Sequence, residues 1–434
     1  MRVLMFGWEF PPHIAGGLGT ACQGLTTSLA KQQVEVLFVM PSASGDEDQS
    51  SVRIINASDI PVFQSIKELN TFFEKVHFLK IDSSLVPYMA PEEFARVVDE
   101  DVVQQRELWW NELGKSYRFS GKYGTNLMEE VARYAMVAAT IAANQTFDVI
   151  HAHDWLTYMA GIAAKRISGK PLVVHVHATE FDRSGENINR EVFDLEHKGM
   201  QEADRVITVS HLTRNIVIQR YGIRPDKVVT VHNGVDFGGK EGQEEARGVP
   251  EKIVTFLGRI TYQKGPEYFI EAAAKVLKRY PHVRFVMAGS GDMFHRSIRR
   301  VAKLGIADRF HFTGFLRGAD VQKMFAYSDV YVMPSVSEPF GISPLEAMRS
   351  NVPVVISKQS GVAEVLRHAI KIDFWDVNAM ADAIYGLLKY PALSQMAIRC
   401  GLEEVNAIKW DKAAAQVAQI YQEVVHIKKT EGSL

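Results

Sequence analysis

Cysteine is nearly missing: the 434 residues hold two, Cys22 and Cys400, far apart and without paired spacing. Neither a disulfide framework nor a thiolate zinc site has a basis here, and a reducing compartment fits. A charge excess is missing too. Lys and Arg total 49 against 51 Asp and Glu, a formal net charge of −2, so the basic surface that drives nucleic-acid binding is absent and no nucleic-acid partner is expected. A local basic pocket stays compatible with that balance. Nor does any apolar run approach the roughly 18 to 20 residues that cross a bilayer; the densest, Ala135 to Ala143, is a short alanine-rich stretch. The opening MRVLMFGWEF is apolar but short and runs into Pro11 and Pro12, so it reads as a buried strand, not a leader. A soluble, cytoplasmic protein without a transmembrane segment is the expectation.

What is present is a repeating α/β pattern. Apolar, β-branched runs recur at Val3 to Phe6, Val34 to Met40, Asp148 to His151, Leu172 to His175, Val206 to Val209 and Val228 to Val231. Helical patterns such as Thr20 to Lys31 and Gly199 to Asp204 separate them. Continuous, not alternating, apolar runs mark strands buried on both faces, as in a parallel sheet covered by helices. The charged stretch 240–250, KEGQEEARGVP, has almost nothing to bury and reads as a linker. A second series follows at Ile253 to Leu257, Arg284 to Ala288, Phe310 to Thr313, Val330 to Met333 and Val352 to Ile356, with helices at Pro266 to Arg279 and Leu345 to Ser350.

At about 150 residues per domain this length suits two large lobes. The expected organisation is a Rossmann-like domain over 1–239, a linker over 240–250, a second Rossmann-like domain over 251–409 and a closing helix over 410–427. Residues 44–124 fit the repeat poorly and are expected to be an insertion, with Glu92 to Trp110 as a long helix and Ser116 to Gly124 as an aromatic loop. In open sheets of this kind ligands bind beyond the carboxyl ends of the strands, so the cleft between the domains is the expected site.

Four constellations carry chemistry. Gly16, Gly17, Leu18 and Gly19 stand between the first strand and the first helix. Such glycines let the backbone approach a ligand, and free amides at a helix start hold phosphate oxygens, although a plain βα turn would look the same. Arg259 and Lys264, flanked by Gly258 and Gly265, follow the strand that opens the second domain. Two cations there would offset charge on a leaving diphosphate, unless they are a solvated basic loop. Glu338 and Glu346 follow Val330 to Met333. Glu338 stands in a loop at a strand end, aimed at the presumed cleft; Glu346 falls three residues after Ser343, where a capping box would explain it fully.

Histidines gather at His151 and His153 before Asp154, and at His175 and His177. Two-residue spacing makes each a same-face pair on its own strand, so the expectation is two separate pairs, no metal, and His177 with Asp154 hydrogen bonding a polyhydroxylated substrate. Gly289 and Gly291 form a further tight turn suited to the flank of a nucleotide, and Phe315 and Leu316 offer apolar surface to a flat base.

The order and spacing of Arg259, Lys264, Glu338 and Glu346, together with the glycine loop and HAHDW, resemble the retaining nucleotide-sugar glycosyltransferases of the GT-B fold. They are most similar to glycogen and starch synthases and the sucrose-synthase-like family. The resemblance implies two Rossmann-like domains facing each other across a cleft. It places the diphosphate against Gly16, Gly17 and Leu18, Arg259 and Lys264, and the nucleoside near Gly289, Gly291, Phe315, Leu316, Gly341 and Ile342, with Glu346 on the ribose. Glu338 would contact the donor sugar, His177 would lie near the reacting centre, and Asp154 would steady the sugar. No enzymic nucleophile, metal or tightly bound cofactor is implied; ADP-glucose or UDP-glucose would be the donor substrate. The main reading is transfer of glucose to the nonreducing end of an α-1,4-glucan. The alternative is a small sugar, a sugar phosphate or an envelope glycan as acceptor. Two departures bear on that choice: Ala15 stands where ADP-glucose-using synthases carry a lysine, and Phe340 stands where they carry the cysteine of EPCG. Donor base, acceptor and oligomeric state stay open on the sequence.

Overall fold

The computed structural model describes residues 1–12, 17–60, 119–120, 127–235 and 250–431. Gly16, the expected helix over 92–110, nearly all of the aromatic loop over 116–124 and the linker up to Val249 lie outside the described residues.

Two parallel sheets form. The first contains β1 (Arg2–Phe6), β2 (Glu35–Met40), β3 (Arg53–Asn56), β4 (Val149–His153), β5 (Leu172–Val176), β6 (Arg205–Thr208) and β7 (Val228–Thr230), in the order β3-β2-β1-β4-β5-β6-β7. The second contains β8 (Lys252–Leu257), β9 (Val283–Ala288), β10 (Phe310–Gly314), β11 (Val330–Met333), β12 (Val354–Ser357) and β13 (Ile370–Ile372), in the order β10-β9-β8-β11-β12-β13. Both orders reverse direction next to the first strand of the sheet, between β1 and β4 and between β8 and β11. Those are the switch points at which doubly wound sheets open a crevice.

The apolar runs behave as two-sided strands must. Leu4, Phe6, Leu37, Val39, Ile150 and Val174 enter one core, while Val3, Met5, Val36, Phe38, Val149 and Val173 enter the other. In the second sheet Val254, Phe285, Val332 and Val355 face one core and Tyr331, Met333, Val354 and Ile356 face the opposite one. Each face is covered by helices, which is why neither residue parity is polar. The final helix, Trp410–Glu431, returns to the first sheet and packs with the helix Gly17–Lys31 through Trp410, Ala414, Val417 and Tyr421.

Several boundaries differ from the sequence reading. Residues 53–56, assigned there to the insertion, form β3, parallel to β2 with Leu37 opposite Arg53. It is a half-buried edge strand, so its apolar signal is weak. β13 is three residues long and went unread. The first helix already includes Gly17, ahead of the expected start near Thr20, and the buried Glu9 carboxylate accepts its Gly19 amide at 3.1 Å. The helix read from Gly199 is the end of Arg190–Glu202, whose cap, Asn189, accepts the amides of Glu191 and Val192.

Candidate active site

The carboxyl ends of β1, β4 and β5 form one wall. Gly17 is exposed, and among the described residues nothing lies within 4 Å of where its Cβ would stand, while the Gly19 amide is already committed to Glu9. Leu18 packs against the same apolar cluster as Ile342 of the second domain.

Asp154 follows β4 directly. Its backbone has φ 59 and ψ 169, a region that is costly for any residue with a Cβ and that persists only where surroundings enforce it. The enforcing contacts are visible: one carboxylate oxygen accepts the amides of His177 at 2.7 Å and Ala178 at 3.3 Å. Burial pushes the Asp154 carboxyl up to about 7, with Arg183 and the two amides pulling the other way.

The histidines do not form two separate pairs, and the reason is register. β4 and β5 lie side by side with His153 opposite His175, so all four rings gather at 4.2 to 5.4 Å between centroids. His151 Nδ1 meets the Tyr421 hydroxyl at 2.5 Å, and His153 Nδ1 meets His177 Nε2 at 2.9 Å. Among the described residues, His151 Nε2, His153 Nε2 and both ring nitrogens of His175 have no partner. Ligand atoms of His151, His153 and His175 fall within 4.8 Å of one another. Burial pushes all four imidazoles down, His177 to about 3, so near neutral pH the group is uncharged and free of mutual repulsion. His177, unlike the other three, is partly exposed at the cleft.

Three residues that sequence reasoning passed over stand here. Thr179 caps the short helix Glu180–Ser184 in a capping box with Asp182, and that T-x-x-D spacing was the available signal. Asp182 then reaches across the cleft and accepts the Ser337 hydroxyl at 2.5 Å. Arg183 lies against two buried carboxylates, Glu180 at 3.1 Å and Glu196, with all three side chains at most 6% exposed. Tyr221 donates to Glu196 as well. Replacing Arg183 by Met should leave both carboxylates without their cation and cost on the order of 3–5 kcal/mol. Denaturant unfolding checks this; a loss below about 1 kcal/mol, the range of an exposed pair, would refute it.

The opposite wall is built at the ends of β8, β9 and β11. Lys264, in the turn after β8, pairs directly with Glu338 in the loop after β11. Glu338 also accepts the Ser335 hydroxyl at 3.2 Å and is buried. Arg259 donates to Gln263 at 3.2 Å. The expected capping box at Glu346 does not form. The helix is Ser343–Arg349 with Ile342 at its cap position, and the Ser343 hydroxyl is bound instead to the Tyr331 hydroxyl at 2.8 Å. Glu346 is thus released from a capping role; burial pushes its carboxyl up, with Arg349 acting in the opposite sense. Glu338 and Glu346 both bear on Tyr331, whose hydroxyl is pushed up mainly by burial.

Gly289 has a packing reason of its own: at φ +143 any Cβ would sit 1.8 Å from the Gly258 carbonyl oxygen. Gly291 lies similarly tight against Ile260, and Gly341 adjoins Glu338 and Met333. Phe315 is 48% exposed with Arg317 over its ring at 5.1 Å, and Leu316 packs on the core beneath.

The family model described as "Glycosyl transferases group 1" matches residues 240–402, and that described as "Glycosyltransferase Family 4" matches residues 94–238. An uncharacterized glycosyltransferase of Methanocaldococcus jannaschii is 28% identical over 97% of this chain and 98% of that protein. The glycogen synthase of Mycobacterium tuberculosis is 26% identical over 97% and 94%. A D-inositol 3-phosphate glycosyltransferase of Catenulispora acidiphila is 30% identical over 63% and 70%. Among solved structures, the sucrose-phosphate synthase of Thermosynechococcus elongatus superposes with a TM-score of 0.72 at 18% identity, covering 98% of this chain and 99% of that one. HepE of Anabaena, in complex with UDP and glucose, superposes with a TM-score of 0.68 at 17% identity, covering 98% and 100%. The two facing sheets are thus a GT-B fold.

Proposed function

The chain belongs to the nucleotide-sugar-dependent glycosyltransferases of the GT-B fold, and from that membership we propose that it transfers a sugar from its donor, with retention of configuration, to a small sugar, a sugar phosphate or an envelope glycan. The observation that carries the reading is the Lys264–Glu338 ion pair at the switch point of the second sheet, facing the helix Glu180–Ser184 of the first. A cation and a carboxylate held together there suit a donor whose diphosphate and sugar lie on adjacent atoms.

In this reading the diphosphate lies between the exposed helix start at Gly17 and the cations Arg259 and Lys264. Gly289, Gly291, Phe315, Leu316, Gly341 and Ile342 border the nucleoside, and Glu346, freed from capping, takes the ribose hydroxyls. Glu338 faces the donor sugar, while His177 and Asp154 border the reacting centre. The acceptor hydroxyl oxygen bonds to the anomeric carbon as the bond from that carbon to the diphosphate breaks, and the acceptor proton passes to the departing phosphate oxygen. No group on the enzyme is consumed. Closure of the domain over 251–409 on that over 1–239 excludes water and limits donor hydrolysis.

Glucan extension is supported by the full-length likeness to a glycogen synthase. The smaller acceptor is favoured because the relative reaching 30% identity is named for inositol phosphate, and further relatives at 27–29% identity carry the same name. UDP is the base to test first, since HepE holds it. ADP-, UDP- and GDP-sugars should be tested against glycogen, maltose, free sugars and inositol or sugar phosphates, with product linkage determined. The expected result is transfer to a small or phosphorylated acceptor at least about tenfold above glycogen in kcat/KM. Preferential glycogen elongation would restore the glucan reading, and no turnover of any donor would remove both.

A further inference from the structure

Glu364 lies outside every motif discussed so far. It sits in the helical turn Val362–Val365 of the second domain, yet its carboxylate is spent entirely on the first. One oxygen accepts the Leu212 amide at 2.7 Å; the other accepts the His211 amide at 2.8 Å and meets His232 Nε2 at 2.8 Å. His211 and Leu212 open the eleven-residue helix His211–Tyr221, so an anion rests on free amides at the positive end of a helix dipole. The Glu364 and His232 side chains are 23% and 29% exposed.

The same segment is bonded to the loop that carries Glu338. The Gly361 amide donates to the Glu338 carbonyl at 2.9 Å, the Val362 amide to the Phe340 carbonyl at 2.7 Å, and the Glu338 amide to the Gln359 carbonyl at 3.0 Å. Glu338 and Ser360 form a parallel bridge. There is no slack at the crossing: a Cβ on Gly361 would lie 2.1 Å from the Pro339 carbonyl oxygen and 2.5 Å from Cβ of Ser210 in the first domain. On its far side the same loop is held by Ser337 donating to Asp182. The stretch from Ser335 to Phe340 is thereby pinned to the first domain from two directions.

We propose that Glu364 is a positioning residue for transfer: by capping the first-domain helix it fixes the loop of Glu338, and through it Lys264, at a set distance from Asp154 and His177. Its catalytic consequence rests on the glycosyl-transfer reading above; its geometric consequence rests on the contacts alone. Diphosphate contacts lie mostly on the second domain, so loss of the tie should spare nucleotide affinity and penalise the step that needs both walls.

The test compares full-length wild type, Glu364→Ala and Glu364→Gln in four measurements: steady-state kinetics with the best donor and acceptor, UDP affinity by calorimetry, radius of gyration with and without UDP, and Tm. Alanine should lower kcat about tenfold or more, leave UDP affinity within about twofold, and weaken UDP-dependent compaction, with Tm little changed. Glutamine, which keeps one acceptor for the amides, should recover part of kcat. Unchanged kcat and compaction in Glu364→Ala would overturn the proposal. So would a kcat loss that tracks Tm with glutamine no better than alanine, since that marks a support of folding only. Should wild type turn over no donor, the transfer reading fails while scattering and Tm still decide the tie.

Discussion

Glutamine at position 338 is expected to lower kcat by about two to three powers of ten while moving Tm by no more than about 3 °C. Glu338 is buried, bound to Lys264 and to Ser335. Glutamine has the same shape and keeps an acceptor for the Ser335 hydroxyl. The Lys264 side chain is 21% exposed, so its ammonium still reaches water when the carboxylate is gone. What disappears is the negative charge that the proposed mechanism sets beside the donor sugar, where it matters most as positive charge builds at the anomeric carbon. Lys264→Ala should behave differently. It removes the cation proposed to hold the diphosphate and also strands the buried carboxylate, so activity and stability should fall together, the latter by on the order of 2–4 kcal/mol. Judged from the sequence, both changes remove cleft charge alone and would spare the fold; the ion pair separates them. Combining the two substitutions should return stability toward wild type without returning activity, a signature that thermal unfolding and steady-state kinetics read independently. Wild-type turnover in Glu338→Gln would end the role assigned to this carboxylate.

Strands buried on both faces were legible because their signal is local: Val3 to Phe6 or Val330 to Met333 must be apolar at every position to satisfy two cores. β3 and β13 escaped for the opposite reason, being short, half-buried and at sheet edges. Placing Arg259, Lys264 and Glu338 at strand ends followed from motif order, and β8 and β11 are neighbours because the sheet reverses there. The histidine group was not legible. Spacing within a strand gives the face of His151 and His153, but their meeting with His175 and His177 depends on the register between β4 and β5. Contacts between domains are harder still. Asp182 and Ser337 are 155 positions apart, and Glu364 and Leu212 are 152 apart; no periodicity relates them, since they meet only where two separate sheets face each other.

Asp154 supplies the second large effect, and its sign can be worked through. Burial holds its carboxyl at about 7 in the folded chain, against roughly 3.9 for an unfolded aspartate. The folded state therefore binds this proton more tightly. Its contribution to stability is complete below about pH 4 and is lost as pH rises through about 7, where the charge must be carried inside the protein. Asparagine mimics the protonated form, and its carbonyl can accept the same amides of His177 and Ala178. Asp154→Asn should flatten the fall in stability between about pH 4 and 7 and leave the variant several degrees more stable than wild type at pH 8. Asp154→Asn keeps an acceptor to hold the strained backbone, whereas Asp154→Ala keeps the strain and gives up the acceptor that enforces it, so alanine should be the less stable of the two. Catalysis should move the other way. If ionised Asp154 borders the sugar as proposed, wild-type kcat/KM should rise through a limb near pH 7, and Asp154→Asn should lose that limb together with about a hundredfold in rate. A variant more stable yet slower above neutrality, its rate converging with wild type as pH falls, would identify a charge kept in the protein at the expense of the fold; parallel pH profiles for wild type and Asp154→Asn, in stability and in rate, would show that this carboxyl does not titrate in the range its burial implies.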